Sequence, residues 1–167
     1  MKRYWFKYQT CGANNEFFRP CVHARLSIED ANSVELPFIL DTGAVTSWAR
    51  KYVYARLFPN EFDQFEDNLT ATGIKDASGK PLFSVKRSIS ISISLPSNPA
   101  DKISFVEEVH FGDVDFNLLG QTAFEKIGGH FHNFPTSSKG RKFAIFTNNL
   151  IQNSGSPVTK PTKGTSN

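Results

Sequence analysis

From Ser88 to Leu95 serine alternates with aliphatic residues: Ile89, Ile91, Ile93 and Leu95 take one parity, Ser88, Ser90, Ser92 and Ser94 the other. Successive strand side chains point to opposite faces, so the run predicts a strand with one buried and one wet face. Pro96 ends it. Apolar runs predict further strands over Trp5 to Tyr8, Pro20 to Ile28, Leu36 to Leu40, Leu82 to Lys86, Ile103 to Val109, Gly129 to His132 and Lys142 to Thr147. Most are short and bounded by Gly, Pro, Asn or Ser, the pattern of a small, strongly bent barrel. Two segments have helical spacing instead. Ser47 to Phe58 places Trp48, Tyr52 and Ala55 on one face, with Ser47 as cap and Pro59 as stop. Gln121 to Ile127 is closed by Gly128 and Gly129, which supply the left-handed geometry of a helix end. The expectation is an all-β chain with one or two short helices.

The 167 residues suffice for one domain with a real core and are too few for two ordinary ones. Residues 151–167 are dominated by Ser, Thr, Pro, Gly, Asn and Lys, which cannot bury enough apolar surface to offset the entropy of ordering. The organisation expected is a domain over 1–150 and a disordered polar tail over 151–167. The tail holds Lys160 and Lys163 and no acid, so the domain keeps 17 of the 19 basic residues against 16 acidic ones. That near-neutrality argues against a nucleic-acid footprint, and no apolar stretch has the length of a signal peptide or a membrane span. Cys11 and Cys21 lack the dense spacing of a secreted disulfide scaffold, and are expected as free thiols of a cytoplasmic protein.

The chemistry concentrates at Asp41-Thr42-Gly43-Ala44, which follows the apolar run Pro37-Phe38-Ile39-Leu40 and occurs once. Asp-Thr-Gly is also ordinary turn chemistry. What sets this copy apart is the apolar strand before it and a second element, Leu118-Leu119-Gly120, whose Gly lies 79 residues beyond Asp41 and opens a short helix. Together these resemble the retropepsin-like aspartic proteases, single-domain relatives of pepsin, over most of residues 4–147.

The resemblance implies a small closed barrel with Asp41 as the catalytic carboxylate. Thr42, Gly43 and Ala44 would support the loop, Thr42 reaching across a dimer axis and Gly43 admitting substrate backbone close to the carboxylate. Leu118, Leu119 and Gly120 would pack as the second loop, and a flap is expected within 71–85, its tip near Asp76, Ala77, Ser78 and Gly79. The chemistry needs two carboxylates about 3 Å apart sharing one proton. One copy per chain therefore implies a homodimer acting on peptide or protein, with no cofactor and no metal. A catalytically silent dimer that binds extended peptides or supports assembly is the alternative reading. A monomeric barrel with Asp41 as a plain turn residue is a third.

Competing motifs are weak. Asp113-Val114-Asp115-Phe116-Asn117 starts like a calcium loop, yet Leu118 and Phe124 stand where Gly and Glu are required. His130 and His132 share a strand face, without a Cys or third His at ligand spacing.

The chain departs from the viral pattern where an acid after Asp-Thr-Gly-Ala pairs with an Arg after the second Gly: here Val45 and Gln121 stand at those positions. Both partners of the ion pair are missing together, which predicts a different brace between the loops. Ala44 also replaces the Ser of many pepsin-like members, removing a hydroxyl donor toward the carboxylates and so stabilising their charged form less. Peptide cleavage by the wild type is therefore expected to extend to weaker acid than cleavage by Ala44→Ser. Superimposable pH–rate profiles of the two would refute this.

Overall fold

The computed structural model describes residues 2–11, 17–28, 32–134, 142–147 and 152–153. In chain order the strands are β1 (Lys2–Lys7), β2 (Gln9–Cys11), β3 (Phe17–Arg19), β4 (Cys21–Ser27), β5 (Ser33–Leu40) and β6 (Ser47–Arg50). After α1 (Lys51–Leu57) and a 3-10 helix (Pro59–Gln64) come β7 (Thr70–Lys75), β8 (Pro81–Leu95), β9 (Asn98–Gly112) and β10 (Leu118–Leu119). Then follow α2 (Gln121–Ile127), β11 (Gly129–Phe134), β12 (Lys142–Thr147) and β13 (Gln152–Asn153).

The main sheet runs β9-β6-β10-β5-β4-β8, and β8 pairs back onto β9, so its hydrogen bonds form a closed circuit. The all-β expectation is met. The Ser/Ile alternation of β8 puts Ile89, Ile91, Ile93 and Leu95 inside the ring, facing Leu26, Phe38, Ile103 and Phe111 in one core. The segments expected as separate strands on either side of Arg87 are one, because β9 offers a continuous partner from Val85↔Phe111 to Ser94↔Lys102. A second sheet, β1-β12-β11, joins the same core through Phe6, Phe143 and Ile145, with Phe6 stacked on its strand partner Phe143 at 5.3 Å.

One element differs from its predicted type. Ser47 to Arg50 is strand, and the helix begins only at Lys51, with Arg50 at the cap position and no capping side chain. Strand pairing on both sides, to β9 and β10, outweighs the helical spacing there. The helix buries Val53, Tyr54 and Leu57, while Tyr52 is exposed. Tyr54 packs on Phe58, Phe65 and Phe111, and its hydroxyl accepts from Arg87 at 3.0 Å and donates to Glu61 at 3.1 Å. The helix α2 has the expected bounds, and Gly128 takes the left-handed conformation at φ 67°.

Cys21 is fully buried and disulfide-bonded, which corrects the free-thiol expectation. The chain's other cysteine, Cys11, ends β2, which packs against β4 and β5; sequence spacing did not reveal that adjacency. The thiol argument for a reducing compartment no longer applies. Among the described residues no helix is long and apolar enough to cross a membrane. Gln152 and Asn153, assigned by composition to the tail, pair with Lys102 and Asp101 at the edge of β9. Residues 154–167 and the side chains of His130 and His132 lie outside the description.

Buried His110 on β9 joins the hairpin base to β6. Its Nδ1 lies 2.7 Å from Ser84 Oγ, and its ring stacks on Trp48 at 4.8 Å. Burial, and then Lys86, hold its pKa below the usual histidine value, with Glu108 opposing. The unfolded chain therefore takes up this proton first as pH drops below about 6.5, and stability is lost as pH falls through the lower folded value. Thermal unfolding midpoints should decline between neutral and mildly acid pH, and decline less in His110→Gln, by up to about one proton's linkage. Parallel pH curves for the two proteins would contradict this.

Candidate active site

Strand β5 ends at Leu40 because the chain must turn. Asp41 N–H donates to Leu119 O at 3.0 Å, Ala44 N–H bends back to Asp41 O at 3.3 Å, and Gly43 N–H donates to Asp41 Oδ1 at 2.9 Å. The motif is an Asx-type turn at the mouth of a core strand. The carboxyl is half-buried, with no ion pair among the described residues. A Cβ at Gly43 would lie 3.2 Å from Asp41 Oδ1, tighter than ordinary contact, so glycine keeps this side of the carboxyl open.

The second loop lies directly across. Parallel pairing sets Leu118 beside Ile39 and Leu119 beside Leu40, while Leu118 also pairs with Trp48. Gln121 N–H donates to Ala44 O at 2.8 Å and Thr122 N–H to Val45 O at 3.1 Å, so the first turn of α2 is tied to the Asp41 loop. Gly120 sits where the loops cross: a Cβ there would meet Thr46 O at 2.5 Å and Ala44 O at 2.8 Å. The need is for space, since its φ is −90°. Leu118, Leu119 and Gly120 thus come together with Asp41, Thr42, Gly43 and Ala44.

The different brace is also visible. Gln121 Nε2 donates to Thr42 O at 2.8 Å, a neutral cross-link in place of an ion pair. Val45 is 62% exposed, an apolar side chain facing solvent beside the loop. Below, Asn117 Oδ1 accepts Arg50 N–H at 3.1 Å and Asn117 O accepts Ile39 N–H at 2.9 Å, setting the height of the second loop.

The hairpin β7–β8 turns at Asp76 to Lys80. Asp76 Oδ1 accepts Ser78 N–H at 2.9 Å, Ser78 Oγ at 2.6 Å and Lys80 N–H at 2.9 Å, and Asp76 N–H donates to Lys80 O at 3.0 Å. The Ser78 hydroxyl first, and then the Lys80 amide, lower the Asp76 pKa by bonding the charged form. Gly79 has φ 85°, which the tip requires. Asp76, Ala77, Ser78 and Gly79 therefore form a hairpin tip, with Ile74 and Phe83 exposed on its arms.

Sequence reasoning missed Ser47, Glu107 and Thr122, which hydrogen-bond one another beneath the crossing. A signal was there: Glu107 interrupts the apolar parity of Ile103, Phe105, Val109 and Phe111. Among the described residues no cluster of His, Cys, Asp and Glu is arranged to hold a metal ion.

No family model and no curated protein matches the chain. Solved structures similar to it include EIAV protease complexed with the inhibitor HBY-793, at 20% identity over 68% of this chain and 92% of that one, with a TM-score of 0.44. A retropepsin-like aspartic protease from Rickettsia conorii is 15% identical over 87% of this chain and 94% of that one, with a TM-score of 0.44. The second is named for the family that the sequence resembles. Likenesses this distant decide nothing about chemistry, and the loop geometry is what bears on function.

That geometry predicts unequal effects of two substitutions. Gly120→Ala should push the loops apart and destabilise by about 1–3 kcal/mol, the cost of overpacking. Gln121→Ala should lose only one partly solvated hydrogen bond, about 1 kcal/mol or less. Denaturant titration checks the order, and equal costs would contradict the crossing described.

Proposed function

We propose that the chain is an aspartic endopeptidase of the retropepsin-like type, acting as a homodimer with one Asp41 from each protomer. The observation that carries this reading is the Asp41 loop itself: a half-buried carboxyl with no ion pair among the described residues, one oxygen held by the Gly43 amide, tied at Leu119, Gln121 and Thr122 to a second loop. Such a mount pre-sets the carboxyl, and pre-set groups lose little freedom as reaction begins.

A lone carboxylate lacks the partner needed to hold a shared proton, so stoichiometry supports the dimer. In the dyad one carboxylate takes a proton from a bound water, whose oxygen attacks the peptide carbonyl carbon, while the protonated partner gives its proton to the carbonyl oxygen. The resulting gem-diol collapses: the C–N bond breaks as a proton passes from the dyad to the leaving amine, and one hydroxyl returns its proton to the dyad as the carbonyl re-forms. Thr42 would brace the partner's loop across the axis. The β7–β8 hairpin would act as the flap, its exposed Ile74 and Phe83 covering an extended peptide held by strand-like pairing. Exposed Val45 is consistent with a surface that a second protomer covers.

Purified protein is expected to sediment as a dimer and to cut unstructured polypeptides between about pH 4 and 7, where such a dyad holds one proton. Asp41→Asn should abolish cutting with its dimer mass and unfolding midpoint retained. A monomer at every concentration would overturn the reading. A stable dimer that cuts nothing across that range would favour a silent peptide-binding scaffold.

A further inference from the structure

Beneath the crossed loops lies a carboxyl that the proposed reaction does not use. Glu107 on β9 is 1% exposed, among strand neighbours otherwise given to the core. Its Oε1 accepts the Ser47 hydroxyl at 3.0 Å and also the Thr122 hydroxyl, while its Oε2 is buried without a hydrogen-bond partner among the described residues. Ser47 Oγ in turn accepts Gly120 N–H at 3.2 Å. Burying an acid is unfavourable, and an aliphatic residue would fill the same strand position without that penalty. What the acid gains is contact with both loops at once: Ser47 closes the Asp41 loop, and Thr122 lies in the first turn of the helix that the second loop opens.

We propose that Glu107 is the positioning residue of the two active-site loops. A hydroxyl carries one hydrogen. Because Glu107 takes that of Ser47, the oxygen's lone pairs are left to face the Gly120 amide, at the point where a Cβ finds no room. The same carboxyl oxygen anchors Thr122, whose N–H meets Val45 O and whose neighbour Gln121 N–H meets Ala44 O. The ladder between the loops is thus oriented from below by one oxygen atom. An amide keeps that acceptor, and its nitrogen would take the place of the unpartnered Oε2. A leucine keeps the approximate volume and removes the acceptor.

The kinetic half of this proposal rests on the reading of Asp41 as catalytic; the structural half does not, and the test separates them. Amide hydrogen exchange is measured by NMR for wild type, Glu107→Gln, Glu107→Leu and, as a milder change, Thr122→Val. Glu107→Leu should speed exchange at Gly120, Gln121 and Thr122 by about tenfold or more while the β4 and β8 amides stay as in wild type. Glu107→Gln should remain near wild type, and Thr122→Val should fall between. Uniform acceleration throughout the chain, unchanged exchange at Gly120 in the leucine variant, or a glutamine variant as fast as leucine would each overturn the proposal. Should the leucine variant not fold, the order of wild type, glutamine and Thr122→Val decides it in the same way. In peptide cleavage Glu107→Leu should lower kcat about tenfold with KM little changed, and Glu107→Gln should restore it. A wild type that cleaves nothing would refute the catalytic reading and leave the exchange result to decide the role of Glu107.

Discussion

The structure turns on a place with no room. At Gly120 the second loop passes so close to Thr46 and Ala44 that a single methyl group would collide with their backbone, the nearest atom at 2.5 Å. The bonds that tie the Asp41 loop to the second loop go with this approach. Only with the backbones this close can Gln121 and Thr122 donate to Ala44 and Val45, and Asp41 to Leu119. Loops joined amide to carbonyl cannot drift independently, so the carboxyl, already held by the Gly43 amide of its own turn, takes its height from the barrel.

The barrel supplies the approach through strand order. Two parallel pairings, β6 with β9 and β10 with β5, interrupt an otherwise antiparallel ring and bring the end of β5 beside the two-residue strand β10. Buried polar groups then complete the fit where backbone alone cannot. Asn117 satisfies the Arg50 amide, Ser47 the Gly120 amide, and Glu107 the hydroxyls of Ser47 and Thr122. Each of these side chains sits where a chain selected for packing alone would carry an apolar residue, which fits a core that is shaped around the loops it supports.

Much of this was legible in the residues, for identifiable reasons. The alternation of β8, the bounds of α2 and the partnership of Asp41 with Leu118-Leu119-Gly120 are local patterns whose physics is written within a few residues. The substitution of Val45 and Gln121 for an ion pair announced a different brace, and Gln121 bonded to Thr42 O provides one. What stayed hidden depends on distant partners. Ser47 to Arg50 reads as helix until β9 and β10 flank it, and Cys21 reads as a free thiol until β2 packs beside β4. Glu107 was visible as a break in parity, but its purpose needs Ser47 and Thr122, 60 and 15 residues away.

One chain presents one Asp41 loop, and the proposed chemistry needs a second copy to meet it. The direct measurement is the separation of the two Asp41 carboxyl groups in an experimental structure of the assembled protein. A dyad sharing one proton predicts oxygens about 3 Å apart across a two-fold axis. Two Asp41 carboxyls held apart by intervening side chains, or facing away from a shared axis, would contradict it.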